Sequence, residues 1–118
     1  MNELDNLIIY KQYLELIYYT ETISQKYPKK EKFCLVQSIK NNTYNGLKKV
    51  IEAQSEYDKT IRIKILKLLD VDLKVLKVLV RVSYKNKYIN IKNYTAWSKK
   101  ITNIGNLLGG WINSCLKQ

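Results

Sequence analysis

The chain has 118 residues, with 21 Lys and Arg against 10 Asp and Glu, one Pro, four Gly and no His. That length suits a single domain over residues 1–118, and a composition of 46% hydrophobic and 26% charged residues excludes a disordered tail. Without histidine there is no Ser-His or Cys-His dyad and the commonest metal ligand is missing, and two cysteines are too few for a structural zinc site or a disulfide framework. The expectation is a protein that is not an enzyme and uses no cofactor and no metal.

Apolar residues recur at three- and four-residue steps over long stretches, which is the helical period. The first helix is expected over roughly residues 3–26, with Leu7, Tyr10, Leu14, Ile17 and Tyr18 on one face. Pro28 punctuates the chain and can open a helix but not continue one. A second helix, roughly 29–54, places Phe33, Val36, Ile39, Thr43, Leu47 and Val50 on its apolar side. Ser55-Glu56-Tyr57-Asp58 is the expected connection to a third helix, roughly 59–85, carrying Ile61, Ile65, Leu68, Leu69, Leu76, Leu79 and Val80. Asn86-Lys87 breaks that helix, and Asn90 is a good N-cap for a fourth over 91–116, lined by Tyr94, Trp97, Ile101, Ile104, Leu108, Ile112 and Cys115. Four helices with short links define an all-α fold, an antiparallel up-down-up-down four-helix bundle.

Two helices carry more apolar surface than one core uses. Val71, Val75, Val78 and Val82 are spaced four, three and four apart, a coiled-coil seam beside the core stripe of the third helix. On the first helix Ile9, Leu16 and Ile23 recur every seven residues, opposite Leu7 and Leu14. Both sets read as surfaces joining copies of the chain into a homo-oligomer.

Charge is unevenly placed. Residues 1–72 carry a net charge of +2, whereas from Leu73 onward there are nine basic residues and no acid. Such a half attracts polyanions, of which nucleic acid is the most abundant in a cytoplasm. Lys67, Lys74, Lys77, Arg81 and Lys85 share one face of the third helix, and Lys87, Lys92, Lys99 and Lys100 extend the patch. A ladder of this kind matches phosphates along a nucleic-acid backbone without reading sequence. Asp72 falls in the core stripe, where it needs a lysine from a neighbouring helix or a tyrosine hydroxyl. Cys34 lies off the main face of its helix and Cys115 on the core side, and both are expected to be packed thiols rather than nucleophiles. The opening residues carry acids where a secretory signal needs positive charge, and no run approaches the roughly 18 apolar residues of a membrane span. A cytoplasmic protein is expected.

The sharpest motif is Ile104-Gly105-Asn106-Leu107-Leu108-Gly109-Gly110-Trp111-Ile112-Asn113-Ser114. Ser98, Thr102, Gly105 and Gly109 form a small-residue track along one edge of the helix, which lets another helix approach closely. This ending resembles that of the accessory variability determinant (Avd) family of diversity-generating retroelements. Lys26-Tyr27-Pro28-Lys29-x-Glu31-Lys32-Phe33 and Leu73-x-x-Leu76-x-x-Leu79-x-Arg81 are similar to two further family phrases, in the same order, so that the likeness runs over about residues 5–115. Asn106 stands where the family carries a basic residue. More distantly, the chain resembles the four-helix proteins encoded within intervening sequences of bacterial ribosomal RNA genes. The Avd resemblance implies a four-helix bundle assembled as a pentameric barrel with a basic surface. Its implied partners are a reverse transcriptase and template RNA or DNA, in support of mutagenic copying. The alternative, from a different class, is a structural or protein-interaction bundle related to the intervening-sequence proteins, without a specific nucleic-acid role.

Overall fold

The computed structural model describes residues 3–117, with side chains from Ile8 onward. Four helices account for most of it: α1 (Glu3–Ser24), α2 (Leu35–Ser55), α3 (Lys59–Lys85) and α4 (Ile91–Lys117), with a single 3-10 turn at Lys29–Glu31. Each helix packs against its neighbours in sequence and α1 closes against α4, giving an up-down-up-down bundle of 46 × 24 × 19 Å. The long axis is what a helix of 27 residues requires at about 1.5 Å per residue.

The connections follow from local chemistry. Asp58 Oδ1 accepts from the backbone N–H groups of Thr60 and Ile61, at 2.9 and 3.1 Å, and so caps α3. Arg62 Nε donates to the carbonyls of Ala53 and Glu56, at 3.1 and 2.9 Å, tying the end of α2 to the first turn of α3. Asn90 Oδ1 accepts from Asn93 N at 2.8 Å and caps α4 as its sequence position predicts. The end of α3 closes with Lys87 N donating to the Tyr84 carbonyl and Tyr88 N to the Ser83 carbonyl, the paired bonds of a Schellman turn. Pro28 opens the 3-10 turn rather than α2, so α2 begins six residues later than the periodicity predicts, at Leu35. Phe33 consequently lies in the turn and is 76% exposed, with the Lys32 ammonium 5.4 Å from its ring centre.

The core holds Trp97 and Trp111 of α4 against Tyr13 and Leu16 of α1, Ile39 and Val50 of α2, and Leu66, Leu69 and Leu76 of α3. Two polar groups buried among them find partners across the bundle, whereas Trp111 Nε1 has no hydrogen-bond partner. Trp97 Nε1 donates to Thr20 Oγ1 at 3.2 Å, and Tyr13 Oη donates to the Thr43 carbonyl at 2.8 Å. Gly46 makes the second bond possible, because a Cβ there would stand 1.8 Å from Tyr13 Oη and 2.7 Å from Cζ.

The face of α1 differs from the expected one. Ile9, Leu16 and Ile23, assigned above to an oligomer seam, are 1%, 0% and 3% exposed and belong to the core of this chain. They interleave with Tyr13 and Thr20 at steps of four and three, while Tyr18 points outward and Leu14 and Tyr10 are half-buried. Leu7 lies outside the described side chains. The physical reason is that α1 carries apolar residues on every side, so periodicity alone selects no face. The side that goes in is the one carrying Tyr13, which donates to the Thr43 carbonyl, and Thr20, which accepts from Trp97 Nε1. On α3, Ile61 and Leu68 leave the expected core stripe for the outer surface, at 45% and 57% exposed, and Leu66 and Leu73 take their place inside.

Buried phenols set the pH response. Burial, reinforced by the Glu31 carboxylate, pushes Tyr27 up to about 12 from an ordinary value of 10.0, and burial with Asp72 nearby raises Tyr13 as well. A folded-state value above the unfolded one contributes stability that is intact below the unfolded value and is lost as pH climbs through the folded value. With no histidine to titrate, the urea midpoint should be flat from about pH 6 to 9 and fall from about pH 10 toward 12. Circular dichroism across that range checks it, and a midpoint that holds to pH 12 would contradict the burial of these phenols.

Candidate nucleic-acid interface

The candidate residues of α3 lie on two outward arcs, separated from its buried inner arc by rotation about the helix axis. Its inner arc (Leu66, Leu69, Leu73, Leu76, Val80) is buried. Roughly opposite, at about 100° per residue, run Val71, Val75, Val78 and Val82, between 38% and 55% exposed. Ile61 and Leu68 extend them into a heptad series, with Ile61, Leu68, Val75 and Val82 seven apart and Val71 and Val78 between. No other helix of the described chain covers this seam.

The basic stripe turns toward α4. Lys67, Lys74, Lys77, Arg81 and Lys85 are all exposed. Lys77 Nζ donates to Thr102 Oγ1 of α4 at 3.2 Å, so its ammonium sits over the α3–α4 groove. The stripe is not acid-free. Asp70 lies within it and pairs with Lys74 at 2.9 Å, removing one of its five charges from service as a free cation. Lys92 and Lys99 stand on the outer face of α4, within about 20° of each other on the wheel. Lys100 is set apart. Its ammonium lies 5.4 Å from the ring centre of Tyr19 on α1, on the side away from the stripe.

Asp72 is at the edge of the core rather than inside it, and Lys49 of α2 meets its Oδ2 at 2.5 Å. That ion pair links α2 to α3 and fulfils the expectation of a lysine from a neighbouring helix. Cys115 is buried as expected, whereas Cys34 is exposed rather than packed, because α2 starts only after it, and no disulfide joins them. Among the described residues no cluster of three His, Cys, Asp or Glu side chains could hold a metal ion, and no helix is long and apolar enough to cross a membrane. The small-residue track of α4 is left open. A Cβ at Gly105, Gly109 or Gly110 would meet nothing within 4 Å, so no helix of this chain makes the close approach that the sequence suggests.

Periodicity leaves one feature hidden, the end of the bundle. Up-down-up-down topology brings the end of α1 and the start of α2 to the same pole as the α3–α4 turn. Lys26, Lys29, Lys30 and Lys32 therefore join Lys85 and Lys87 there, with Glu31 as the acid among them. The signal is present in the sequence, but the first four of these lysines fall in the half whose net charge is nearly zero.

The geometry is that of a basic four-helix bundle with an exposed apolar seam along α3. The bAvd-like family profile matches residues 7–115, and the chain belongs to that family. Its fold is similar to the crystal structure of a protein of unknown function from the S23 ribosomal protein family of Bacteroides thetaiotaomicron. The TM-score is 0.84 at 15% identity, with 92% of this chain and 98% of that chain covered. No curated protein matches the sequence.

Proposed function

We propose that the chain is a non-enzymatic, cytoplasmic accessory protein of a diversity-generating retroelement. As a basic homo-oligomer it would bind the reverse transcriptase and the template RNA or DNA during mutagenic copying. The observation that carries the reading is the segregation of charge on exposed faces: nine basic residues and no acid from Leu73 onward, beside an exposed apolar seam on α3. Membership of the bAvd-like family supports it.

In this reading Val71, Val75, Val78 and Val82 join the copies, with five as the subunit number that the family resemblance implies. Lys67, Lys77, Arg81 and Lys85 meet phosphate or an acidic partner surface. Repeating one modest basic face around a ring multiplies it, because linked sites gain avidity without new contacts. Substituting glutamine for both Lys77 and Arg81 should weaken retention of a structured RNA. It should also flatten the slope of log affinity against log salt by about two units, one for each phosphate no longer neutralised. Light scattering and filter binding at two salt concentrations check both parts, and unchanged binding by the double variant would refute the assignment. A protein-interaction bundle without a nucleic-acid role is the competing reading, favoured by the Lys74–Asp70 pair that interrupts the stripe. No retention of RNA by the native protein even at low salt would decide for it.

A further inference from the structure

A cleft of about 590 Å³ opens at the basic pole of the bundle, between the end of α1 and the α3–α4 turn. Three lysines line it, Lys26, Lys85 and Lys87, and no carboxylate does. None of the three takes part in an ion pair among the described residues. Glu31 is outside the lining and is occupied by Tyr88, whose hydroxyl donates to its Oε2 at 2.6 Å.

The walls are aromatic as well as basic. Tyr84 lines the cleft and is backed by Tyr94 in a stacked pair, 4.7 Å between centres and 10° between planes. Tyr88, also in the lining, leans on Tyr27 at 5.4 Å. Both rings are therefore held in place before anything binds, which reduces the ordering cost of a ligand that packs on them. The space is several times that of a phosphate group. Asn90 also lines the cleft, with its Oδ1 already accepting from Asn93 N as the cap of α4, and the N-terminal end of that helix favours negative charge.

One backbone detail points the same way. Lys87 sits at φ 64°, the left-handed position of the Schellman turn where glycine is usual. A lysine there strains the turn and does nothing for the fold that glycine would not do better. It does add a positive charge to the lining of the cleft.

We propose that this cleft binds one unpaired nucleotide, its phosphate held by Lys26, Lys85 and Lys87 and its base stacked on Tyr84 or Tyr88. The inference deepens the functional reading above, which it uses for the choice of a polynucleotide. Lysines along a backbone bind single and double strands alike, whereas rings in a cleft take only a base free of its partner. The site thus confers a preference for single-stranded segments that the stripe on α3 cannot.

The test uses the full chain and three probes: a short labelled oligouridylate, a hairpin duplex of the same length, and adenosine monophosphate as competitor. The variant combines Lys26→Gln with Lys87→Gly, and the control variant combines Lys77→Gln with Arg81→Gln. Lys87→Gly should leave thermal stability equal or higher, since glycine suits that backbone. The cleft variant should lose about tenfold in affinity for the single strand and about twofold or less for the duplex. The control variant should lose affinity for both alike. Competition by adenosine monophosphate would extend the site to free nucleotides, and its absence would restrict the site to nucleotides within a strand; either supports the cleft once the variant effect is seen. Single-strand affinity within about twofold of the native protein in the cleft variant would overturn the proposal while leaving the broader function standing. A native protein that ignores both oligonucleotides yet binds adenosine monophosphate in a Lys87-dependent way would do the reverse. Binding of none of the three probes would overturn both.

Discussion

Gly46→Ala is expected to lower the thermal midpoint by about 10 °C, although alanine is the better helix former. The propensity gain is about 1 kcal/mol. Against it stands a Cβ placed 1.8 Å from Tyr13 Oη, 2.7 Å from Cζ and 3.3 Å from Leu69 Cδ1, distances that force the ring away. Tyr13 cannot retreat cheaply: it is 1% exposed, and moving breaks its 2.8 Å bond to the Thr43 carbonyl inside the core. Overpacking costs about 1–3 kcal/mol and a buried hydroxyl without a partner about 1–3 more, so after the propensity gain a net loss centred on about 3 kcal/mol remains. The built-in comparison is Gly105→Ala with Gly109→Ala. There the new methyl groups meet nothing within 4 Å, and the same chemistry should stabilise the chain by up to about 1 kcal/mol each. Calorimetry on the two variants should give shifts of opposite sign. A neutral or stabilising Gly46→Ala would mean that the Tyr13 ring does not lie against α2 at this glycine.

The second large effect is on assembly. Val75→Asp with Val78→Asp should convert the proposed oligomer into a monomer while leaving the bundle folded. Both valines are about half exposed, so their substitution leaves the core untouched and removes only what a second copy would cover. Each valine withdrawn from water at an interface is worth on the order of 1 kcal/mol, and a carboxylate buried in its place without a partner costs several. Repeated at every junction of a ring, that is enough to abolish association. Sedimentation or light scattering reads the mass, and circular dichroism confirms helicity. An unchanged oligomer would move the subunit interface away from α3, and Ile9→Ala would serve as contrast: it should destabilise the monomer by cavity formation whatever the assembly.

The contrast between α1 and α3 shows what periodicity can and cannot resolve. In α3 the apolar residues divide into arcs separated by Lys67, Asp70 and Lys74, and both its boundaries, at Lys59 and Lys85, are legible because Asp58 caps one end and Asn86-Lys87 closes the other. α4 is equally legible from Asn90. In α1, tyrosines and isoleucines surround the axis, and the face that goes in carries Tyr13 and Thr20, whose hydrogen bonds involve residues 30 and 77 positions away. The start of α2 is hidden for another reason, since a proline can open a 3-10 turn as readily as an α-helix. As for the interface, the lysines of α3 can be read from a helical wheel. The cleft at the pole cannot, because it draws Lys26 from one half of the chain and Lys85 and Lys87 from the other, and only the folded topology adds their charges together.

The ring order of the helices also dictates how the chain can come together. The pairs α1–α2, α2–α3 and α3–α4 join elements that are adjacent in sequence, so each can close as a hairpin with a short loop and little lost entropy. Only α1–α4 spans nearly the whole chain, and its closure is least costly once the hairpins already hold the two ends near each other. The Trp97–Thr20 bond, formed across 77 residues, belongs to that contact. Trp97 is covered by α1 through Tyr19 and Thr20, so any opening of the α1–α4 contact would uncover its indole and the apolar face of α4.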